Sequence, residues 1–203
     1  MARETRATDI SAVGNRPPNL KIESNIFKKS FDGIKMTLDK KPPMLPILGR
    51  RGRIHSVSVS DRKGVVKHNV DQARLLVDHG LEGDAHAEGG IRQVSLLARE
   101  SIDKMVAAGA KVKPGDFAEN LTVEGLEVMT LPVGTRLKVG AEVEMEVTQI
   151  GKTCHKGCAI RELVGDCVMP KEGIFARVLR EGVVKPGDAI EVTDVPGGHS
   201  DNK

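Results

Sequence analysis

The run AEVEMEVTQI, residues 141–150, alternates Val143, Met145 and Val147 with Glu144, Glu146 and Thr148. A period of two places the two sets on opposite faces of an extended chain, so this is a strand with one dry face and one wet face. The same reading extends outward in both directions. Leu121–Val123, Leu126–Leu131 and Arg136–Val139 are short apolar or alternating runs cut apart by Gly or Pro-Val-Gly turns. Upstream, IHSVSVS from Ile54 alternates again, SDRKG supplies a turn, and VVKH resumes an extended run. Leu75–Asp78 and QVSLL, ending at Leu97, add two more pieces.

One segment breaks the pattern. ARESIDKMVAAG sets Ala98, Ile102, Met105 and Val106 at helical spacing, and Gly109 stands where a helix would stop. KPGD occurs at Lys113–Asp116 and again at Lys185–Asp188, each time as a turn ahead of an apolar run. Many short strands with one or two helices argue for a mainly β fold, a β-barrel, rather than a doubly wound α/β sheet.

The 203 residues suffice for one domain and a tail. Twenty-two glycines and ten prolines fit a fold rich in turns. Four Phe, with no Trp or Tyr, remove the usual tools for stacking bases, so a nucleic-acid partner is not expected. The net charge of +3 is unevenly spread: residues 1–53 carry a balance of +7 and residues 54–203 a balance of −4. Residues 1–52, with NRPPN and KKPPMLPILGRRGR, read as a basic, Pro-punctuated arm; residues 53–195 read as the domain, and 196–203 as a tail. No apolar run is long enough to span a membrane, and the first residues lack the apolar centre of a secretory signal. Three cysteines, an odd number in a chain too large to need staples, point to a reduced, cytoplasmic setting.

GKTCHKGCAI, residues 151–160, packs Cys154, His155 and Cys158 into five positions. Zinc sites and thioredoxin-like pairs want CxxC, whereas the spacing here is CxxxC, with Cys167 nine residues on. Cys167 reads as a buried small hydrophobe. Cys154 and Cys158 follow a strand in a loop where Lys152, His155 and Lys156 can depress a thiol pKa, so a thiolate nucleophile or a soft metal ligand is the reading for them. GLEGDAHAEGGIRQVSLL offers a Gly-rich loop with an acid, His86 and Arg92, able either to cradle an anion or merely to close a hairpin. No GxxxxGK[ST], GxGxxG or GxSxG motif is present. In PGDFAENLTVEGL, Asn120 could tie down a turn or orient a ligand, and Glu119 could be solvated or a base.

Taken in order, GDAHAEGGIRQVSLL, PGDFAENLTVEGL, LPVGTRLKVG, QIGKTCHKGCAIRELVGDCVMPKEGIFARVL and VKPGDAIEV resemble a MOSC domain, named for the C-terminal domain of molybdenum cofactor sulfurase. The resemblance runs over residues 53–193 and is nearest to small stand-alone bacterial members. It implies a barrel of the pyruvate-kinase-barrel type with a few short helices. It also implies a working cysteine that carries sulfur as a persulfide or ligates molybdenum, and the apolar pair Ala159 and Ile160 marks Cys158 for that role, with Cys154 second. His86, Arg92 and Gln93 become candidates to hold a pterin or its phosphate, Asn120 a ligand-orienting residue, and Arg177 a further positive charge.

The function implied is binding of the molybdenum cofactor, molybdopterin, in its sulfuration, sulfur transfer or delivery. The alternatives are a molybdenum-dependent reductase of N-hydroxylated compounds, with Cys158 on the metal, and a non-catalytic carrier. Expected partners are molybdopterin biosynthesis enzymes, molybdoenzyme acceptors and a cysteine desulfurase as sulfur donor. No aminotransferase-like half with a pyridoxal-phosphate lysine is evident, and the arm is too short for the extra β domain of the reductase-like members.

Overall fold

AEVEMEVTQI forms the strand its alternation predicts. In the computed structural model, which describes residues 46–153 and 167–197, Val143, Met145 and Val147 are fully buried. Glu144 and Glu146 face outward to Arg180 and Arg177 of the neighbouring strand, at 3.9 and 3.0 Å. The arm and tail expected at the two ends lie largely outside the described residues, as do Cys154 and Cys158.

Eleven strands and two short helices are present among the described residues. In chain order they are β1 (Arg51–Val59), β2 (His68–Val70), β3 (Ala73–Leu76), β4 (Gly80–Leu81), β5 (Val94–Ala98), α1 (Arg99–Ala107), β6 (Leu121–Glu124), β7 (Arg136–Val139), β8 (Val143–Ile150), α2 (Met169–Glu172), β9 (Ile174–Arg180), β10 (Gly182–Val184) and β11 (Ala189–Asp194). Seven strands close on themselves in the order β1-β6-β5-β9-β8-β7-β11, and β11 returns to β1 through Arg51↔Glu191 and Arg53↔Ala189. The mainly β barrel expected from the sequence is the fold. Closure satisfies every edge of the ring. β2 extends the sheet beyond β1, and β10, β3 and β4 form a small separate sheet.

Inward residues of all seven strands, among them Ile54, Leu96, Leu121, Leu137, Met145, Ala176 and Ile190, make one core. β5 and β6 are the one parallel pair in the ring, which requires a crossover, and α1 lies within it. The helix ends as a Schellman motif: Ala110 N–H donates to Met105 O and Gly109 N–H to Val106 O. Ala98 and Ile102 are buried, and Met105 packs against the cluster that holds Ile102, but Val106 is 48% exposed and so lies off the face expected for it.

A second correction concerns Leu126–Leu131, expected as a strand. Val128–Thr130 is a 3-10 turn, fastened by Thr130 Oγ1 donating to Glu127 O at 2.7 Å. Leu126, Val128 and Leu131 still reach the core, by turning rather than by pleating. Both KPGD segments are the same turn, with Asp116 and Asp188 each accepting from the backbone N–H of the lysine three residues earlier. Outside the barrel wall a smaller apolar cluster joins Leu97, Ile102 and Phe117 to Cys167, Met169 and Phe175. No helix among the described residues is long and apolar enough to cross a membrane.

Candidate functional site

Against this second cluster opens a cleft of about 190 Å³. Five separate pieces of chain line it. The approach to β2 gives Lys67, the β4–β5 connection gives His86, Glu88 and Arg92, and β5 gives Ser95. The entry to β6 gives Ala118 and Asn120, and the chain around β8, α2 and β9 gives Lys152, Met169 and Phe175.

The floor is a buried polar network. Lys67 Nζ donates to Asp84 Oδ2, with the two side chains only 1% and 2% exposed. Asn120 Nδ2 donates to the same Asp84 oxygen and to Ser58 O at 3.2 Å. Asn120 Oδ1 accepts from Ser95 N–H at 3.1 Å and from the Ser95 hydroxyl at 2.8 Å. The other Asp84 oxygen accepts from His86 N–H at 3.0 Å and lies 3.4 Å from His86 Nδ1. Both Asp84 oxygens and the whole Asn120 amide are thereby spent inside the protein.

Burial pulls the Lys67 ammonium below its ordinary value; the hydrogen bond and charge of Asp84 oppose this without cancelling it, and the Lys152 charge adds to it. Burial works to raise the Asp84 carboxyl, but its bonds from Lys67, His86 N–H and Asn120 hold it below its ordinary value. His86 is lowered by burial and by the Lys67 charge, so at neutral pH its imidazole is uncharged.

The wall is set by stacking. The Arg92 guanidinium sits 5.3 Å above the centre of the Phe175 ring, and its Nε donates to Gln149 Oε1 at 2.9 Å. Gln149 in turn donates to Gly151 O at 2.6 Å. No ion pair is formed by Arg92 or Lys152 among the described residues. Glu88 pairs with Lys63 at 2.9 Å and Asp84 with Lys67, so positive charge is in excess here.

Behind the cleft, Glu119 is fully buried. Its Oε1 accepts from Gly115 N–H at 2.7 Å and from the Thr122 hydroxyl at 2.9 Å, while Oε2 has no partner among the described residues. Burial pushes this carboxyl up, against those two bonds.

Of the residues expected from the sequence, His86, Arg92 and Asn120 meet in the cleft, and Asn120 does so with no free group for a ligand. Gln93 lies outside it: buried, it donates to Gly90 O and accepts from Val178 N–H at 2.9 Å each, bracing the loop. Arg177 also lies elsewhere, on the outer barrel face with Glu146. Cys154 and Cys158 fall outside the described residues, but the flanks of their segment are fixed at the cleft. Gly151 N–H donates to Gly173 O at 2.7 Å and Lys152 N–H to Pro170 O at 3.2 Å. Lys67 and Asp84 were not among the expected site residues. Asp84 sits two positions before His86 in the glycine loop, which is a signal, but nothing in VVKH marks its lysine as buried.

The MOSC domain pattern matches residues 83–191, more than half of the chain. The chain belongs to the MOSC domain family. MOSC domains are associated with the molybdenum cofactor, and the matched span begins at Gly83, so it includes Asp84, His86, Arg92 and Asn120 but not Lys67. Among solved structures, the YuaD protein from Bacillus subtilis is similar in fold, with a TM-score of 0.60 at 20% identity over 70% of this chain and 95% of that one. YiiM from Geobacillus stearothermophilus gives 0.56 at 22% identity over 70% and 75%. YiiM from Escherichia coli gives 0.53 at 22% identity over 71% and 70%. No curated protein matches the chain.

Proposed function

We infer that the cleft is the cofactor site of this MOSC domain and that its ligand is molybdopterin, held through its phosphate. The observation that carries this is the unneutralised positive charge: Arg92, steered by Phe175 and Gln149, and Lys152 line one cleft with no described carboxylate of their own. A planar guanidinium fixed by stacking is suited to two parallel bonds to a phosphate. An uncharged His86 can accept a hydrogen bond from a pterin N–H or donate one, according to its tautomer. The donor set therefore fits an anionic heterocycle of this kind. When bound, the cofactor supplies a molybdenum centre for which a cysteine thiolate is a soft ligand.

The protein acts, in this reading, in sulfuration, sulfur transfer or delivery of the cofactor, with Cys158 as the working thiol and Cys154 second. Passage of the outer sulfur of a donor persulfide to the Cys158 thiolate exchanges one S–S bond for another and needs no external oxidant. A cysteine desulfurase is a suitable donor, and molybdopterin biosynthesis enzymes and molybdoenzymes are the suppliers and recipients.

Mass spectrometry of protein from a molybdenum-replete host tests this, native for cofactor and denatured for one added sulfur on Cys158. Bound molybdopterin lost in Arg92→Ala, with a persulfide lost in Cys158→Ser, is the expected result. Cofactor with a plain thiol throughout would shift the reading to a carrier or to the reductase of N-hydroxylated compounds. Unchanged retention in Arg92→Ala would remove the phosphate contact.

A further inference from the structure

Lys67 is a costly residue for a cleft floor. Its ammonium has three N–H donors, of which the described residues engage one, through Asp84. It is buried, and a second cation, Lys152, faces the same space and disfavours its charge. An Asp84–Asn120–Ser95 network that needed only to be satisfied would not require an ammonium on the cleft side; a neutral donor would serve. Moreover, the backbone is shaped to bring Lys67 in. Lys67 N–H donates to Gly115 O at 2.9 Å, and a Cβ on Gly115, whose φ is +96°, would lie 2.4 Å from Lys67 O. Asp84 is meanwhile locked by Asn120 and by His86 N–H, so the ammonium is held in place rather than free to swing.

We propose that Lys67 is a ligand-binding residue of the cleft: its ammonium meets an oxyanion of the ligand from below while Arg92 and Lys152 meet it from the side. The anionic group of the ligand therefore enters first and lies at the floor, not at the mouth. The proposal rests on the anion-site reading given above and deepens it by fixing which end of the ligand goes in. A desolvated, preorganised ammonium binds an oxyanion far more strongly than a solvated one. Negative charge placed between Lys67 and Lys152 relieves the repulsion that Asp84 only partly offsets.

Inorganic phosphate is the probe, with binding followed by calorimetry on the full chain. Lys67→Met alone strands a buried carboxylate, so the informative protein is Lys67→Met/Asp84→Asn, which removes the pair together and is checked for folding by circular dichroism. Loss of one charge-assisted hydrogen bond predicts affinity reduced about tenfold or more in this protein and, separately, in Arg92→Gln. The side-chain ¹⁵N resonance of Lys67 should move as phosphate saturates the wild type, which a purely structural lysine would not show. Folded double variant binding phosphate within about twofold of wild type, or a Lys67 resonance that stays still at saturation, overturns the proposal. Wild type that binds no phosphate overturns both this and the anion-site reading. A response at Lys67 with Arg92→Gln unaffected sinks only the Arg92 contact.

Discussion

Asp84→Ala is the substitution whose cost can be worked out most directly. It leaves the Lys67 ammonium, 1% exposed, without its hydrogen-bonded counter-charge, and it strips an acceptor from His86 N–H and from Asn120 Nδ2. Breaking a buried pair from one side costs about 3–5 kcal/mol. For a chain of this size about 2–4 °C of Tm accompanies each kcal/mol, so the thermal midpoint should fall by about 6–20 °C. With no Trp or Tyr to report, thermal and urea unfolding followed by far-ultraviolet circular dichroism are the assays. Acid supplies an internal control. The Asp84 value is lowered in the fold, so its contribution is present above its ordinary value of 3.8 and is lost as pH falls through the folded value. The gap between wild type and Asp84→Ala should therefore close in strong acid. Lys67→Met/Asp84→Leu, which removes both charges but still strands the His86 and Asn120 donors, should recover part of the loss and lie between Asp84→Ala and wild type. An Asp84→Ala protein within about 1 kcal/mol of wild type at neutral pH would refute the buried ion pair.

Glu119 behaves with the opposite sign. Its raised value means that its contribution is whole below its ordinary 4.5 and is lost as pH rises from there through the folded value, so urea midpoints at pH 5 and 7.5 should differ more in wild type than in Glu119→Gln. A pH dependence that the substitution leaves unchanged would count against that carboxyl. Ala118, at φ 62°, holds a left-handed conformation in the cleft wall; Ala118→Gly should stabilise by about 0.5 kcal/mol, the relieved strain slightly exceeding the added chain entropy, and a loss of stability would show that strain is absent. Gly151→Ala forces a Cβ to 2.3 Å from Pro170 O at φ +64° and should cost about 2 kcal/mol or more. Because that contact ties the flanks of the segment bearing Cys154 and Cys158, persulfide on Cys158 should fall more than barrel stability does, read by mass spectrometry beside a urea curve.

Much of the barrel was legible because its strands have one dry face. A period of two in AEVEMEVTQI is enforced by the pleat and needs no knowledge of partners. The helix was plain from its spacing and its glycine stop, although its inner face was drawn one residue too wide, at Val106. LEVMTL was misread because burial of Leu126, Val128 and Leu131 can be met by a 3-10 turn as well as by a strand, and side-chain apolarity does not distinguish them. Closure was expected only as a class: the pairing of β11 with β1 joins residues about 140 positions apart, beyond any local signal.

The site divides along the same line. Arg92 was visible because a cation beside a glycine-rich loop has local meaning, whereas Arg177 could have been set aside from IFARVL itself, whose alternation turns Ile174, Ala176 and Val178 inward and Arg177 out. Lys67 was invisible for a physical reason. A lysine is ordinarily solvated, and it becomes a buried charge here because the pairing of β1 with β2 and with β6, and the bond from Lys67 N–H to Gly115 O, bring the approach to β2, the glycine loop and the β6 entry together around Asp84. Each of those segments supplies one member of the network, so no segment alone carries its meaning. The cleft's positive charge thus joins a cation legible in the glycine loop, Arg92, to two supplied by distant segments, Lys67 and Lys152. On the anion-site reading, substitutions that loosen the β1–β2 or β1–β6 pairing should weaken phosphate binding, followed by calorimetry, before they unfold the chain, since Lys67, Arg92 and Lys152 stand at the ends of three different strands; binding that falls only with unfolding would refute this.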